Sequence, residues 1–117
     1  MERLNRRKHS RLTSFNLLAY VCFDEGGSAV HQGMGRTINV SEDGILLETH
    51  NRLEDTGTIG LTIGLKDDVV DIEGVVIYSD VDKEKVRTGI QFVNVDEEAL
   101  SVLKRFIVAF KEEKGAE

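Results

Sequence analysis

Three features of the sequence predict a mainly β fold: a six-stranded antiparallel sandwich or barrel followed by one amphipathic helix. The 117 residues include no proline and eleven glycines. Short runs rich in β-branched and aromatic residues recur between turn signals. The spacing of apolar residues then changes from alternation to steps of three and four near the end. The length is that of one domain with a real core, and 40% hydrophobic with 31% charged residues describes a globular chain, neither disordered nor disulfide-stapled.

A first strand is predicted over residues 14–23, an apolar and aromatic run stopped by Asp24-Glu25-Gly26-Gly27. Residues 35–40 read as a second strand, 45–49 as a third and 58–65 as a fourth. Asp67-Asp68 makes a turn into a fifth over 69–79. After the polar turn at 80–85, residues 86–93 supply a sixth strand, with Ile90 and Phe92 alternating against Thr88 and Gln91. From Asp96 onward Ala99, Leu100, Leu103, Phe106, Ile107 and Phe110 fall on one face of a helix. Asn94 is the expected cap, Lys111 and Lys114 suit the negative C-terminal end, and Gly115 is the expected stop. The apolar stripe of this helix is expected to close the mouth of the protein's own barrel. The organisation read from these elements is a basic arm over 1–12, a β body over 13–94 and a helix over 95–114, all in one domain.

Charge is distributed unevenly. The net charge is −6, yet Arg3, Arg6, Arg7, Lys8 and Arg11 face only Glu2 within the first eleven residues, and the remainder holds ten cations against twenty anions. The body therefore repels polyanions. A small anionic ligand at the arm suits this pattern better than duplex DNA; the ordinary alternative is a solvated basic tail.

Other signals carry no function. No apolar run reaches the length of a membrane span and no secretory signal is visible, so the cytoplasm is the expected compartment. The single cysteine, Cys22, lies in an apolar stretch and reads as a buried thiol. His9, His31 and His50 are far apart, so no metal site is expected. Gly57, Gly60 and Gly64 lie within a strand-like run, not between a strand and a helix as a dinucleotide fingerprint requires. The many carboxylates look like turns and solvated surface, with no pair singled out as general acid and base. No enzyme activity is expected.

Two motifs remain: Arg7-Lys8-His9-Ser10-Arg11 before the first strand, and Asn39-Val40-Ser41-Glu42-Asp43-Gly44 between the second and third. Alone, the second is also compatible with a side-chain-stabilised turn in which Gly44 takes a positive φ. Together, in this order, they resemble the PilZ domain, which pairs R-x-x-x-R with D/N-x-S-x-x-G on a six-stranded antiparallel barrel followed by a helix. Thr88-Gly89-Ile90-Gln91-Phe92 looks like the last strand of that family. The resemblance covers nearly the whole chain and implies a barrel and a receptor for the bacterial second messenger cyclic dimeric GMP (c-di-GMP), with no cofactor.

The residue types suit such a ligand, which carries two guanines and two phosphodiesters. Arg7 and Arg11 each offer a planar fork for a guanine edge or a phosphate, and the same plane stacks on a base. By family analogy Asn39 meets a guanine edge, Ser41 donates to a phosphate and Gly44 lets the backbone approach a base. An amide at position 39 keeps a donor and an acceptor but lacks the charge of the aspartate alternative. Arg3 and Arg7 satisfy the first motif too; Arg7 and Arg11 are preferred because Arg11 adjoins the apolar strand, and Arg6 is an auxiliary contact. The implied mechanism is ordering of the arm by the ligand and contact with a separate effector protein. Two alternatives are a PilZ-like module that binds only protein and a small barrel for single-stranded nucleic acid. The second lacks stacking residues, since Tyr20, Tyr78 and the five phenylalanines mostly sit at core-like positions.

Overall fold

The structure, a computed structural model, describes residues 16–53, 57–65 and 68–116. Six strands run in the order β1 (Leu17–Phe23), β2 (Ala29–Val40), β3 (Gly44–Thr49), β4 (Ile59–Gly64), β5 (Val69–Asp82) and β6 (Lys85–Val93), followed by helix α1 (Glu97–Ala116). They close into a barrel with the spatial order β1-β2-β3-β6-β5-β4. Every neighbouring pair is antiparallel. The strands β1, β3 and β4 are central to the core, and their inward residues alternate with outward ones. Leu18, Tyr20 and Cys22, then Ile45 and Leu47, then Ile59, Leu61 and Ile63 are all buried. Ile72, Ile90 and Phe92 complete the inner wall, and Thr88, expected to face outward, is buried beside them because it lies two residues from Ile90 and pairs with the inward Leu47. Leu53, after β3, is buried with them, and β3 and β4 are not neighbours in the barrel.

Two strands are longer than the sequence suggests. The residues from Ala29 to Met34 extend β2 because they pair with β1, from Phe23↔Ala29 to Ala19↔Met34, a tertiary demand that polar and glycine residues on the segment's inward side, His31 and Gly33, do not advertise. The β5–β6 hairpin is also tighter than the expected polar turn. Pairing continues to Asp82↔Lys85, and Lys83 takes φ 57° in the two-residue connection.

Helix α1 lays Ala99, Leu103, Phe106 and Phe110 into the same cluster as the barrel interior. The rings of Phe106 and Phe110 lie 6.4 Å apart at 18°. Its stripe is thus satisfied within the chain. The expected cap at Asn94 is not the one observed. Asp96 caps the helix, its Oδ1 accepting from Ala99 N at 2.8 Å and its carbonyl from Leu100 N at 2.9 Å. Asn94 takes φ 53° and donates to Glu73 Oε1 at 3.2 Å, which steers the chain off β6 into the helix. The helix passes Gly115, the expected stop. Arg105 on α1 meets Asp68 ahead of β5 at 2.9 Å, an exposed pair of small energetic weight.

On the outer face, paired residues of β2, β3, β6 and β5 make a charged row, Arg36–Glu48–Arg87–Asp80. Glu48 is only 8% exposed, and its carboxylate accepts from Arg36 Nε at 3.2 Å and Arg87 Nε at 3.1 Å. Burial pushes the Glu48 carboxyl up, but the Arg87 and Arg36 hydrogen bonds and the charges of Arg36 and Lys85 outweigh it, holding the group below its ordinary value of 4.5. A depressed folded-state pKa gives stability that is present above the unfolded value and lost as pH falls through the folded one. Glu48→Gln is therefore expected to cost about 1–3 kcal/mol at pH 7. Its deficit relative to wild type should shrink as the pH falls below the ordinary carboxyl value of 4.5 and the wild-type carboxylate protonates. Urea titrations across pH 3–7 check this, and a deficit independent of pH would contradict it.

Candidate ligand-binding site

The second motif occupies the end of β2, the turn and the start of β3. A β-strand alternates strictly, so the inward Gly35 and Thr37 would put Asn39 in the core. A bulge prevents this. Thr37 pairs with Leu47 and Asn39 with Leu46, leaving Ile38 as the extra residue. Past the bulge the parity is reversed, so Val40 is buried and Asn39 is exposed.

The turn is held by its own polar groups. Asn39 Oδ1 accepts from Val40 N at 3.0 Å, and Ser41 Oγ accepts from Asp43 N at 3.2 Å, which leaves the Ser41 hydroxyl proton for an outside acceptor. Ser41 N donates to Gly44 O and Phe92 N to Asp43 O, both at 2.9 Å, so the turn is stitched to β6 as well as to itself. The need for glycine at position 44 has a different origin from a positive φ. Among the described glycines only Gly27 has one, at 88°, whereas a Cβ on Gly44 would run into the carbonyl oxygen of Ile90 on β6. Close approach of two backbones, not turn conformation, requires the glycine.

Asn39, Ser41 and Gly44 line one outer-surface cleft of about 370 Å³. Its far wall comes from β5 and β6 and includes Ile77, Tyr78 and Gln91. A second bulge shapes that wall. Val76 pairs with Ile90 and Tyr78 with Gly89, so Ile77 is the extra residue and Tyr78 turns outward. Tyr78 is 52% exposed, which corrects its placement among the core positions. Sequence reasoning missed Ile77, Tyr78 and Gln91 because an apolar run such as Val75-Val76-Ile77-Tyr78 carries no mark of where its parity slips.

Arg6, Arg7 and Arg11 lie outside the described residues. Asn16, the first described residue, is anchored beside the site: its carbonyl accepts from Thr37 N at 2.5 Å. Arg11 lies five positions earlier in the sequence, a chain length of at most about 18 Å. The nearer described cations, Arg36 and Arg87, are committed to Glu48, and Glu42 and Asp43 are exposed in the turn itself. An anion in this cleft would thus depend on cations from elsewhere, and the arm is the richest source. Among the described residues no group of three or more His, Cys, Asp or Glu could hold a metal ion, and no helix is long and apolar enough to cross a membrane.

Solved structures of the same fold include the "PilZ domain with c-di-GMP of YcgR" from Escherichia coli. It is 15% identical with a TM-score of 0.60, over 84% of this chain and 84% of that one. MrkH of K. pneumonia in its apo state is 14% identical with a TM-score of 0.58, over 86% of this chain. Its c-di-GMP complex is 13% identical with a TM-score of 0.59. This chain spans about half the length of MrkH, 49% and 48% in the two structures. No curated protein matches the sequence. The family model of the PilZ domain matches residues 5–109, nearly the whole of the barrel and helix described above, and the chain belongs to the PilZ domain family.

Proposed function

We propose that this chain is a receptor for c-di-GMP, which it holds on the outside of the barrel between the Asn39–Gly44 turn and the arginines of the N-terminal arm. The observation that carries the reading is the bulge at Ile38, which turns Asn39 out of the core and beside Ser41 and Gly44 on one cleft wall. Membership of the PilZ family and solved structures of YcgR and MrkH with c-di-GMP support it. In this reading Asn39 meets a guanine edge, Ser41 donates to a phosphate, and Arg7 and Arg11 grip guanine or phosphate from the other side, with Arg6 as an auxiliary cation. The ligand is bound and not altered. The output is a contact with a separate effector protein in the cytoplasm, made when the ligand gathers the arm onto the barrel.

Calorimetric titration with c-di-GMP, with linear GMP and a short oligonucleotide as controls, tests the reading. Heat with the cyclic dinucleotide alone is expected; no heat would favour a module that binds only protein, and heat with the oligonucleotide a nucleic-acid binder. Arg7→Ala and Arg11→Ala should each weaken binding about 10-fold or more while circular dichroism is unchanged, since each removes a bidentate contact of about 1–3 kcal/mol. Arg3→Ala should bind as wild type, which checks the register of the motif.

Gly44→Val should lower the melting temperature and abolish binding together, because relieving its contact with the Ile90 carbonyl moves β3 away from β6 and carries Ser41 with it. Normal binding by Gly44→Val would refute the close-approach argument. Amide exchange across residues 4–12 should slow on adding c-di-GMP, while that of α1, already packed on the barrel, should change much less. Equal protection with and without ligand would place the signal elsewhere.

A further inference from the structure

An antiparallel strand that faces water on one side normally alternates apolar residues inside with polar residues outside. Strand β1 does not. Its outward residues are Leu17, Ala19, Val21 and Phe23, all apolar. Those of its neighbour β2 are Val30, Gln32 and Met34, with Arg36 at the border, and its other neighbour β4 turns out Thr62 between Gly60 and Gly64. Among the described residues these three strands thus share an outer face without charge, in a chain of which 31% of the residues are charged. Leu17, Val30 and Met34 are each about half exposed on it. The Phe23 ring lies against Gly60, where a Cβ would come within 3.3 Å of Phe23 Cε2, so the glycine keeps this part of the face flat. The charges stand on the other side of the barrel, where Glu48, Asp80, Lys85 and Arg87 point outward from β3, β5 and β6.

We infer that the β4–β1–β2 face is where the chain pairs with a second copy of itself, sheet against sheet. Charge decides the occupant. Beyond the basic arm the chain holds ten cations against twenty anions, so two copies repel one another through their other faces and meet most easily through this one. The two borders of the face are also complementary. Arg36 stands at the β2 border beside Leu17, while Asp71 and Glu73 stand past β4, at the ends of the rows Met34–Ala19–Thr62–Asp71 and Gln32–Val21–Gly60–Glu73. A half turn about an axis along β1 lays the β2 border of one copy over the β4 border of the other, with Ala19 at the axis and Arg36 directed toward Asp71 of the second copy. The apolar residues of β1 are then covered in both copies and opposite charges meet at both rims. Three short strands make a small interface, so the pairing is weak, with a dissociation constant in the micromolar range. The cleft of Asn39, Ser41 and Gly44, walled by β3, β5 and β6, stays open in the pair. The inference stands independently of the ligand reading.

Sedimentation velocity of the full chain, from low micromolar to submillimolar concentration, should show a monomer passing into a dimer. Met34→Glu and Ala19→Glu, both at exposed outward positions, should each weaken this association about 10-fold or more while circular dichroism stays that of the wild type, because each sets a carboxylate against an uncharged face. Val81→Glu makes the same change of charge at an exposed position near the β5–β6 hairpin and should associate as the wild type does. Ala19→Cys should form a disulfide-linked dimer under mild oxidation, since residue 19 meets its counterpart at the axis, whereas Val81→Cys should not; the native Cys22 is buried and does not compete. A monomer throughout the concentration range overturns the self-pairing and leaves the face to the effector protein. A dimer that Met34→Glu and Ala19→Glu leave intact overturns its placement on this face.

Discussion

In a closed barrel each strand residue faces either the core or the outside, and a single inserted residue exchanges the two for everything that follows it. The candidate site depends on that constraint being broken twice, at Ile38 and Ile77, at one level of the sheet. Between the breaks, β3 and β6 keep their alternation, so Leu47, Thr88 and Ile90 continue to fill the interior. Outside them, Asn39 and Tyr78 are turned to the surface in the same row. Without the two extra residues, Asn39 and Tyr78 would keep the parity of Thr37 and Val76 and face the core.

The site and the fold share their contacts. The turn carrying Ser41 is bonded to β6 through Asp43 and Phe92, and the bare backbone of Gly44 lies against the Ile90 carbonyl. One step along the strands, the Arg36–Glu48–Arg87 ladder ties β2, β3 and β6 together. Its single carboxylate is shared by both guanidiniums, which holds them away from the turn. In the receptor reading proposed above, the charge a small anion needs comes from the arm, where the sequence concentrates cations.

Much of this was legible in the residues. Alternation in β4 and β6 and the three-and-four spacing of α1 follow directly from burying one face, and those elements appear close to where the pattern puts them. The spacing of Asn39, Ser41 and Gly44 marked the turn before its geometry was known. What stayed hidden was tertiary. The first half of β2 is held by its pairing with β1 and not by its own composition. A bulge leaves no trace in an apolar run, so Tyr78 read as core. The cap moved from Asn94 to Asp96 because Asn94 was needed to redirect the chain toward Glu73. Gly44 is legible as a turn position, but the Ile90 carbonyl that crowds it lies on a strand far away in sequence.

The strand order also bears on how the chain reaches this state. Closing the barrel requires β1 to find β4 and β3 to find β6, and Glu48 and Arg87, which meet across that second seam, are 39 residues apart. Pairings of such separation must pay loop-closure entropy before they gain burial, which puts folding in the slower part of the range for small domains, milliseconds to seconds. With no proline in the chain, no prolyl isomerisation adds a later brake, so the search for those two seams sets the pace. The turn that carries the ligand motif joins β2 to β3, neighbours in both sequence and space, and it can be in place before either distant seam has closed.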